Sequence, residues 1–452
     1  MIKKKINIIL DIGKTNVKLV LISKQGKIIE EIRTRQTLKK FKNKITYLNS
    51  QKIINWLLVN LNKLTLNYKI YKFVCTTHGA TVAFIDKDNK EIIASTDYEY
   101  PYDKFFKDFK KIAPSFKTSL TPHLEVGLNV GHQIYYLNRI FPEVVKKTKF
   151  ILSYPQYISW KLSGNFSSEI SYIGCHSFLW NFNKNTYSSL VKKLKIYDKF
   201  PKIQRAWKSI GYFKINDSKI SILNGIHDSN ASYLYFKNSK LKNFTLVSTG
   251  TWYIIFNQQT KLKKLNPKLD MLSNIDVFGN HVPTMRFMGG REYDVLCKSL
   301  KIKNKTSAKI SEEDLINNLI YPSFASAGPF KLNKTIKKIK LSNNQKYSLI
   351  CIYMAFTLNF CLDYMESSAD IILDGPITKN NYIMKIIANL RNTQKIFKNK
   401  KEVGTSLGAS LLFNIKKKSN IDLRKVNSIN DLDYKYIYSI WLKNLKKKKL
   451  IN

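Results

Sequence analysis

An α/β fold in two lobes follows from three features of the sequence. The 452 residues exceed what one hydrophobic core organises, so two domains of roughly 200 residues each are expected. Strand-like apolar runs alternate with helical patterns along the chain. Two hairpins of strand, glycine-containing turn and strand, one around Asp11-Ile12-Gly13-Lys14-Thr15-Asn16 and one around Ser248-Thr249-Gly250-Thr251, open the two halves alike and read as an internal duplication.

Taken in order, INIIL leads into Asp11–Asn16, VKLVLI returns, and IIEEIRT follows Lys24-Gln25-Gly26-Lys27 as a third strand. Apolar runs punctuated by glycine and polar turn residues predict consecutive antiparallel strands, not a strand-to-helix crossover. A helix is predicted over about 50–65, and the strand YKFVCTT then ends at His78-Gly79-Ala80-Thr81. The strands VAFID and EIIASTD follow, then helices over 123–145 and 153–163, the second stopped by Gly164. A strand SKISILNGIHD ends on Asp228. In the second half NFTLVSTGTWYIIFN repeats the hairpin, a helix spans about 345–365, ADIILDG is a strand, and Pro376 and Gly404 each precede a helix.

Composition narrows the function. With 44% apolar and 13% aromatic residues the chain can pack full cores. The net charge of +46 invites a nucleic-acid partner, since basic chains attract polyphosphate. Only eight of the 77 basic residues are arginines, however, and base-edge recognition leans on the bidentate guanidinium. The lysines are dispersed and belong on solvated faces, so no specific nucleic acid is expected. Five cysteines, Cys75, Cys175, Cys297, Cys351 and Cys361, are far apart with no CxxC pair, which indicates neither a disulfide framework nor a zinc site. The apolar stretch at the N-terminus meets Asp11 too soon for a signal-peptide core, and the longest apolar run, Leu349 to Leu362, falls short of the ~20 residues a bilayer span needs. No membrane partner and a cytoplasmic location are the expectation.

Four segments carry the parts that phosphoryl transfer requires: held phosphates, a held metal and an acceptor hydroxyl aimed beside a base. In the first hairpin Asp11 can hold magnesium, Gly13 lets backbone approach a phosphate, and Thr15 can donate to a phosphate oxygen, although Asp-x-Gly is also ordinary turn chemistry. Ser248 to Thr251 offers the matching amides and hydroxyls. Gly225-Ile226-His227-Asp228-Ser229 delivers a carboxylate that can take the acceptor's proton or cap a helix. Asp374-Gly375-Pro376 and Gly404 to Ser410 place small residues at element ends where a flat base can lie.

The set, in this order and over essentially the whole chain, resembles the FGGY carbohydrate kinases of the actin-like ATPase superfamily. Asp11 to Asn16 matches the first phosphate motif, Gly225 to Asp228 the base, Ser248 to Thr251 the second phosphate motif, Leu373 to Pro376 the adenosine motif, and Gly404 to Ser410 the final helix. The resemblance implies two ribonuclease-H-like lobes with the active site in the cleft between them. Residues 1–238 would form the sugar- and phosphate-binding lobe, 239–440 the ATP-binding lobe, and 441–452 a basic tail. It implies that Asp228 is the catalytic base and touches the sugar, that Asp11, Gly13, Lys14, Thr15, Asn16, Thr249, Gly250, Thr251, Gly375 and Gly404 bind ATP, and that Asp11 lies by Mg2+. His78, Gly79, Asp97 and Gln133, with Gln156, would contact the sugar.

Two positions depart from the family pattern. Glu99 stands where an arginine is usual after Asp97, and Pro376 replaces the second glycine of the adenosine motif, removing an amide donor. The segment Phe287-Met288-Gly289-Gly290-Arg291-Glu292 is also distinctive. The turn Asp-Ile-Gly-Lys-Thr-Asn looks closer to kinases of 6-deoxyketohexoses than to glycerol kinases, so the resemblance implies ATP and Mg2+ as cofactors and L-fuculose or L-rhamnulose as leading acceptor. A pentulose such as xylulose or ribulose, or a polyol, comes next, and a non-catalytic sugar-responsive protein after those. The partners are then the sugar and Mg-ATP, and a homodimer is compatible with this.

Overall fold

The computed structural model describes residues 3–42, 44–325, 327–333, 335–336, 338–400 and 404–452. The chain divides into two compact units. The first comprises Met1–Lys240, Ser273–His281 and Val403–Ser419, and the second Leu241–Leu272, Val282–Glu402 and Asn420–Asn452. The main boundary falls after Lys240, and the segment after Gly404, expected within 239–440, belongs to the first unit.

In the first unit, strands Lys4–Ile12, Asn16–Ser23 and Ile28–Arg35 form the predicted antiparallel meander, with Asp11 opposite Lys18 and Ile12 opposite Val17. Tyr68–Thr77 joins the free edge of the first strand in parallel, and Ser218–Leu223 with Ser209–Ile215 completes the sheet. Period-two alternation sends Ile6, Ile8, Leu10 and Ile12 to one face, against Ile53, Leu57 and Leu61 of the helix Ser50–Asn67. Ile9, Val20 and Val74 pack on the opposite face with Ala231, Leu234, Ala409 and Leu412. Both faces are therefore covered, as a sheet with parallel pairs requires, and each fully buried Ile, Leu or Val contributes about 1.5–3 kcal/mol.

The second unit repeats the plan. Thr245–Thr249, Tyr253–Phe256 and His281–Phe287 are antiparallel neighbours, and Ile371–Asp374 pairs in parallel with the first of them, Ser248 opposite Asp374. Ile396–Asn399 and Leu423–Lys425 extend the sheet. Behind it runs the helix Asn343–Tyr364, opened by a capping box between Ser342 and Gln345. Every residue from Tyr347 to Leu362 is buried, which accounts for the long apolar run. Among the described residues it is the one helix long and apolar enough to cross a bilayer, and 89% of its most apolar window is buried in protein.

Three expectations needed correction. Residues 123–129 are not helical; the helix starts at Val130, because Asn129 accepts from the Leu124 amide and donates to Pro122 and His176 carbonyls, holding a loop in place. The strand to Asp228 is interrupted after Leu223, where Gly225 takes φ +93° and a Cβ would lie 2.8 Å from the Cys75 carbonyl oxygen; only Ile226–His227 resumes pairing. Residues 441–452 are no solvated tail, since a helix Tyr434–Lys447 buries Trp441 and Leu445. Four of the five cysteines are buried and all five are free thiols.

Candidate functional site

In the first unit three ionisable side chains converge at the ends of the central strands. Asp11 closes Lys4–Ile12, His78 follows Tyr68–Thr77, and Asp228 follows Ile226–His227, which pairs in parallel with Thr76 and Thr77. Asp11 is buried and its Oδ2 accepts from Ser406 Oγ at 3.0 Å. Burial pushes its carboxyl up to about 6, Ser406 opposes that, and the Asp228 charge adds to it. Gly13 turns the chain behind it by donating its amide to Asn16 O at 2.9 Å. Thr15 and Asn16 are exposed at the tip, and no partner for the Thr15 hydroxyl occurs among the described residues.

Asp228 is the first residue of the helix Asp228–Lys237, not its cap. The positive helix end favours its carboxylate, and so do donors converging on one oxygen. Oδ1 accepts from the Ser229 amide at 2.5 Å and from Ser229 Oγ at 3.2 Å, with His227 Nε2 also 3.2 Å away. Among the described residues no donor reaches Oδ2, and the side chain is 28% exposed. Burial raises the Asp228 pKa, with the His78 charge and the Ser229 bonds opposing. Burial lowers the His78 pKa; its Nδ1 lies 3.0 Å from Gly79 O, and its buried Nε2 has no partner among the described residues. A carboxylate with one oxygen fixed and one free, beside an unsatisfied imidazole nitrogen, can hold a hydroxyl and take its proton.

Lys14 points away from a purely phosphate role. Its ammonium binds Asp97 Oδ1, lies 3.3 Å from Glu99 Oε2 and sits 4.6 Å over the Tyr98 ring. The position that departs from the family pattern therefore supplies a carboxylate for Lys14, and Lys14 supplies the cation beside Asp97. Gln133 and Gln156 do not present open polar faces. Both are fully buried: Gln133 donates to the carbonyls of Ala80, at 2.6 Å, and Gly127, and Gln156 to Asn224 O at 2.9 Å. Gln133 thus braces the turn that carries His78 and Gly79, with only its Oε1 unpartnered.

The second unit holds a cavity of about 530 Å³ whose wall includes Gly250, Thr251, Gly290, Tyr293, Pro376 and Asn380. Close packing explains Gly290 in this wall and Gly375 next to Pro376. A Cβ on Gly290 would lie 2.0 Å from Gly250 O, and one on Gly375, at φ +83°, 2.2 Å from Thr249 O. The segment around Gly289-Gly290 is the start of the helix Gly289–Ser299, seated on the hairpin. Thr249 is spent on structure: its hydroxyl donates to Asp374 O at 2.6 Å and accepts from the Ile377 amide at 3.2 Å. Thr251 is exposed and Gly250 lines the cavity, so these two remain for a phosphate chain. Pro376 begins the short 3-10 turn Pro376–Lys379, a first-turn position where an absent amide costs nothing.

Gly404 precedes the helix Thr405–Ser410 of the first unit, where Gly408 packs so closely on Ala231 that a Cβ would lie 1.8 Å from its carbonyl. This helix delivers Ser406 to Asp11, a partner 395 residues away that spacing alone does not reveal. His227 and Asn230 were likewise missed; the one signal was His227's place in the Gly225–Ser229 segment. Among the described residues no cluster of three metal-ligating side chains occurs. That suits magnesium, which takes one or two carboxylates and fills its shell with water and phosphate oxygens; Asp11, with Oδ1 free of Ser406, fits such a role.

The chain matches the model of the FGGY family of carbohydrate kinases, N-terminal domain, over residues 6–232, and that of the carbohydrate kinase FGGY C-terminal domain over 241–421. Among solved structures it resembles a carbohydrate kinase from Novosphingobium aromaticivorans at 24% identity and a TM-score of 0.88, covering 99% of this chain and 100% of that one. A ligand-bound xylulose kinase from Lactobacillus acidophilus follows at 16% identity, TM-score 0.77 and 98% of both chains. Plasmodium falciparum glycerol kinase with ADP aligns at 15%, TM-score 0.77 and 99% of both. No protein with a curated description matches. The predicted two-lobed α/β fold with ribonuclease-H-like lobes is borne out by these matches.

Proposed function

Because the chain belongs to the FGGY family of carbohydrate kinases, phosphotransferases that use ATP and an alcohol acceptor, we propose that its acceptor is a small neutral ketose and that Asp228 is the base. L-Fuculose or L-rhamnulose leads, and a pentulose such as xylulose follows, each phosphorylated at the terminal primary hydroxyl. The observation that carries this reading is the asymmetry of Asp228: Oδ1 is held by Ser229 and His227 while Oδ2 is left for the acceptor. Neutrality of the sugar follows from Lys14, whose charge is already answered by Asp97 and Glu99 and so offers nothing to the carboxylate of a sugar acid.

In the reaction, the acceptor hydroxyl donates to Asp228 Oδ2 and receives orientation from His78 and the Asp97–Lys14 pair. As its oxygen bonds to the γ-phosphorus, its proton passes to Asp228 and the bond to the β-phosphate oxygen breaks, releasing ADP. The raised pKa of Asp228 makes it a stronger base than an exposed carboxylate, provided the pH keeps it ionised. Gly13, Thr15 and Asn16, and likewise Gly250 and Thr251, are the proposed phosphate contacts, and the cavity beside Pro376 receives the nucleoside. Magnesium, when bound, neutralises charge on the phosphates, and Asp11 would hold it.

A coupled ADP-release assay with magnesium-ATP tests it, against L-fuculose, L-rhamnulose, D- and L-xylulose, D-ribulose, glycerol, erythritol and gluconate. Strong turnover with one ketose and none with gluconate is expected. A preference for gluconate would overturn the reading of Lys14, and silence with every ketose would overturn the acceptor class.

A further inference from the structure

Behind Asp228 lies an imidazole that the transfer step leaves unused, with both nitrogens engaged. His227 is 5% exposed, with Nε2 at 3.2 Å from Asp228 Oδ1 and Nδ1 at 3.4 Å from Asn230 Nδ2. The identity of that Asn230 atom is fixed by its other contact, a 3.2 Å bond to the Ser171 carbonyl, which only an amide nitrogen can donate. An amide N–H facing Nδ1 requires Nδ1 to accept, which puts the imidazole proton on Nε2. Both neighbours of Nε2, the Asp228 carboxylate oxygen and Cys175 Sγ at 3.8 Å, can accept it.

We infer that His227 is a positioning residue for the catalytic base: Asn230 sets its Nε2–H tautomer, and the imidazole holds Asp228 Oδ1 so that Oδ2 is presented to the acceptor. The inference rests on the assignment of Asp228 as base. Other packing serves the same placement. Gly79 makes room for the ring, since a Cβ there would lie 2.8 Å from Nε2, and Tyr172 stands edge-on to it at 87° with centroids 5.8 Å apart. Tyr172 also donates to the His78 carbonyl at 3.1 Å, so one scaffold orders both imidazoles. Burial holds the His227 pKa down to about 4, keeping the ring neutral wherever the enzyme would work. Asp11, His78, Tyr98, Tyr172 and Cys175 are the other titratable groups acting on the pair, and Lys14 acts on His78.

Two measurements on the full chain test this. The chain has six histidines, so the ¹⁵N imidazole spectrum can be assigned to His227 by difference with His227→Gln. The neutral Nε2–H tautomer is expected from pH 8 to about pH 5; an Nδ1–H tautomer, or a protonated ring at neutral pH, would overturn the inference. In kinetics, His227→Leu removes a donor to the carboxylate, which raises the Asp228 pKa: the acid limb of kcat/KM should move up by about one unit, with kcat lowered about tenfold and KM for ATP unchanged. His227→Gln, which restores an N–H, should bring the limb back, whereas a merely structural role would leave the limb in place. A limb unmoved in folded His227→Leu sinks the proposal. Should that variant not fold, Asn230→Leu serves instead, with loss of the single tautomer expected. An active Asp228→Asn enzyme would instead remove the premise, leaving the tautomer result to stand by itself.

Discussion

Asp11 illustrates how a site residue can cost the fold stability. Its carboxyl is raised from 3.8 to about 6, chiefly by burial, with Asp228 adding to the shift and Ser406 offsetting part of it. The folded state therefore holds a proton that the unfolded chain releases, and stability falls as pH climbs from about 3.8 to about 6 and stays low above it. The shift of about two units corresponds to about 3 kcal/mol at pH 7.5, and to about 1 kcal/mol at pH 4.5, where little of the penalty has yet developed. Asp11→Asn keeps an oxygen for Ser406 without the charge. Without magnesium and nucleotide it should stabilise the first unit by about 3 kcal/mol at pH 7.5, while lowering turnover by about a hundredfold or more. Hydrogen exchange in the strand Lys4–Ile12, corrected for intrinsic rates, reports that unit without requiring the whole chain to unfold as one. Exchange should slow roughly 100-fold at pH 7.5 and roughly fivefold at pH 4.5. Equal protection of variant and parent at pH 7.5, or a gap that does not shrink at pH 4.5, would refute the reasoning.

Ser406→Ala removes the donor that lowers the Asp11 pKa. Activity should fall by about threefold more at pH 6.5 than at pH 8.5, read from kcat/KM at the two values. Lys14→Met should raise KM for the sugar about tenfold and leave KM for ATP within about twofold, because the ammonium is engaged by Asp97 and Glu99; the opposite split in steady-state kinetics would return Lys14 to the phosphates. Gly375→Ala forces a Cβ to 2.2 Å from Thr249 O at φ +83°. It should destabilise the second unit by about 2 kcal/mol or more and weaken nucleotide binding, measured by denaturation and ADP titration.

The hairpins were legible because their physics is local. Alternating apolar residues fix each strand's faces, and glycine-containing turns fix the reversals at Gly13 and Gly250. The place of Asp228 at a strand end was legible for a similar reason, although the strand before it is only Ile226–His227. What stayed hidden is tertiary. Thr249 and Thr251 are equivalent in sequence, and only the parallel pairing of Ser248 with Asp374 turns one hydroxyl inward to brace the Gly375 turn and leaves the other outside. Lys14 reads as a phosphate ligand until the fold brings Asp97 and Glu99 to it from more than 80 residues away. Gln133 reads as helix polarity until its amide proves to hold two backbone carbonyls. The lysines of the last helix suggested a tail because charge is visible in sequence, whereas the buried stripe of Ile437, Trp441 and Leu445 needs a partner surface to be read as packing.

In the proposed reaction this kinase takes its acceptor's proton on Asp228. The most direct measurement is turnover of Asp228→Asn beside the parent enzyme with the acceptor that the ADP-release assay identifies, together with ATP affinity by direct titration. Turnover lower by about a hundredfold or more, with ATP affinity kept within about twofold, is the predicted result. Turnover within a few-fold of the parent would contradict it.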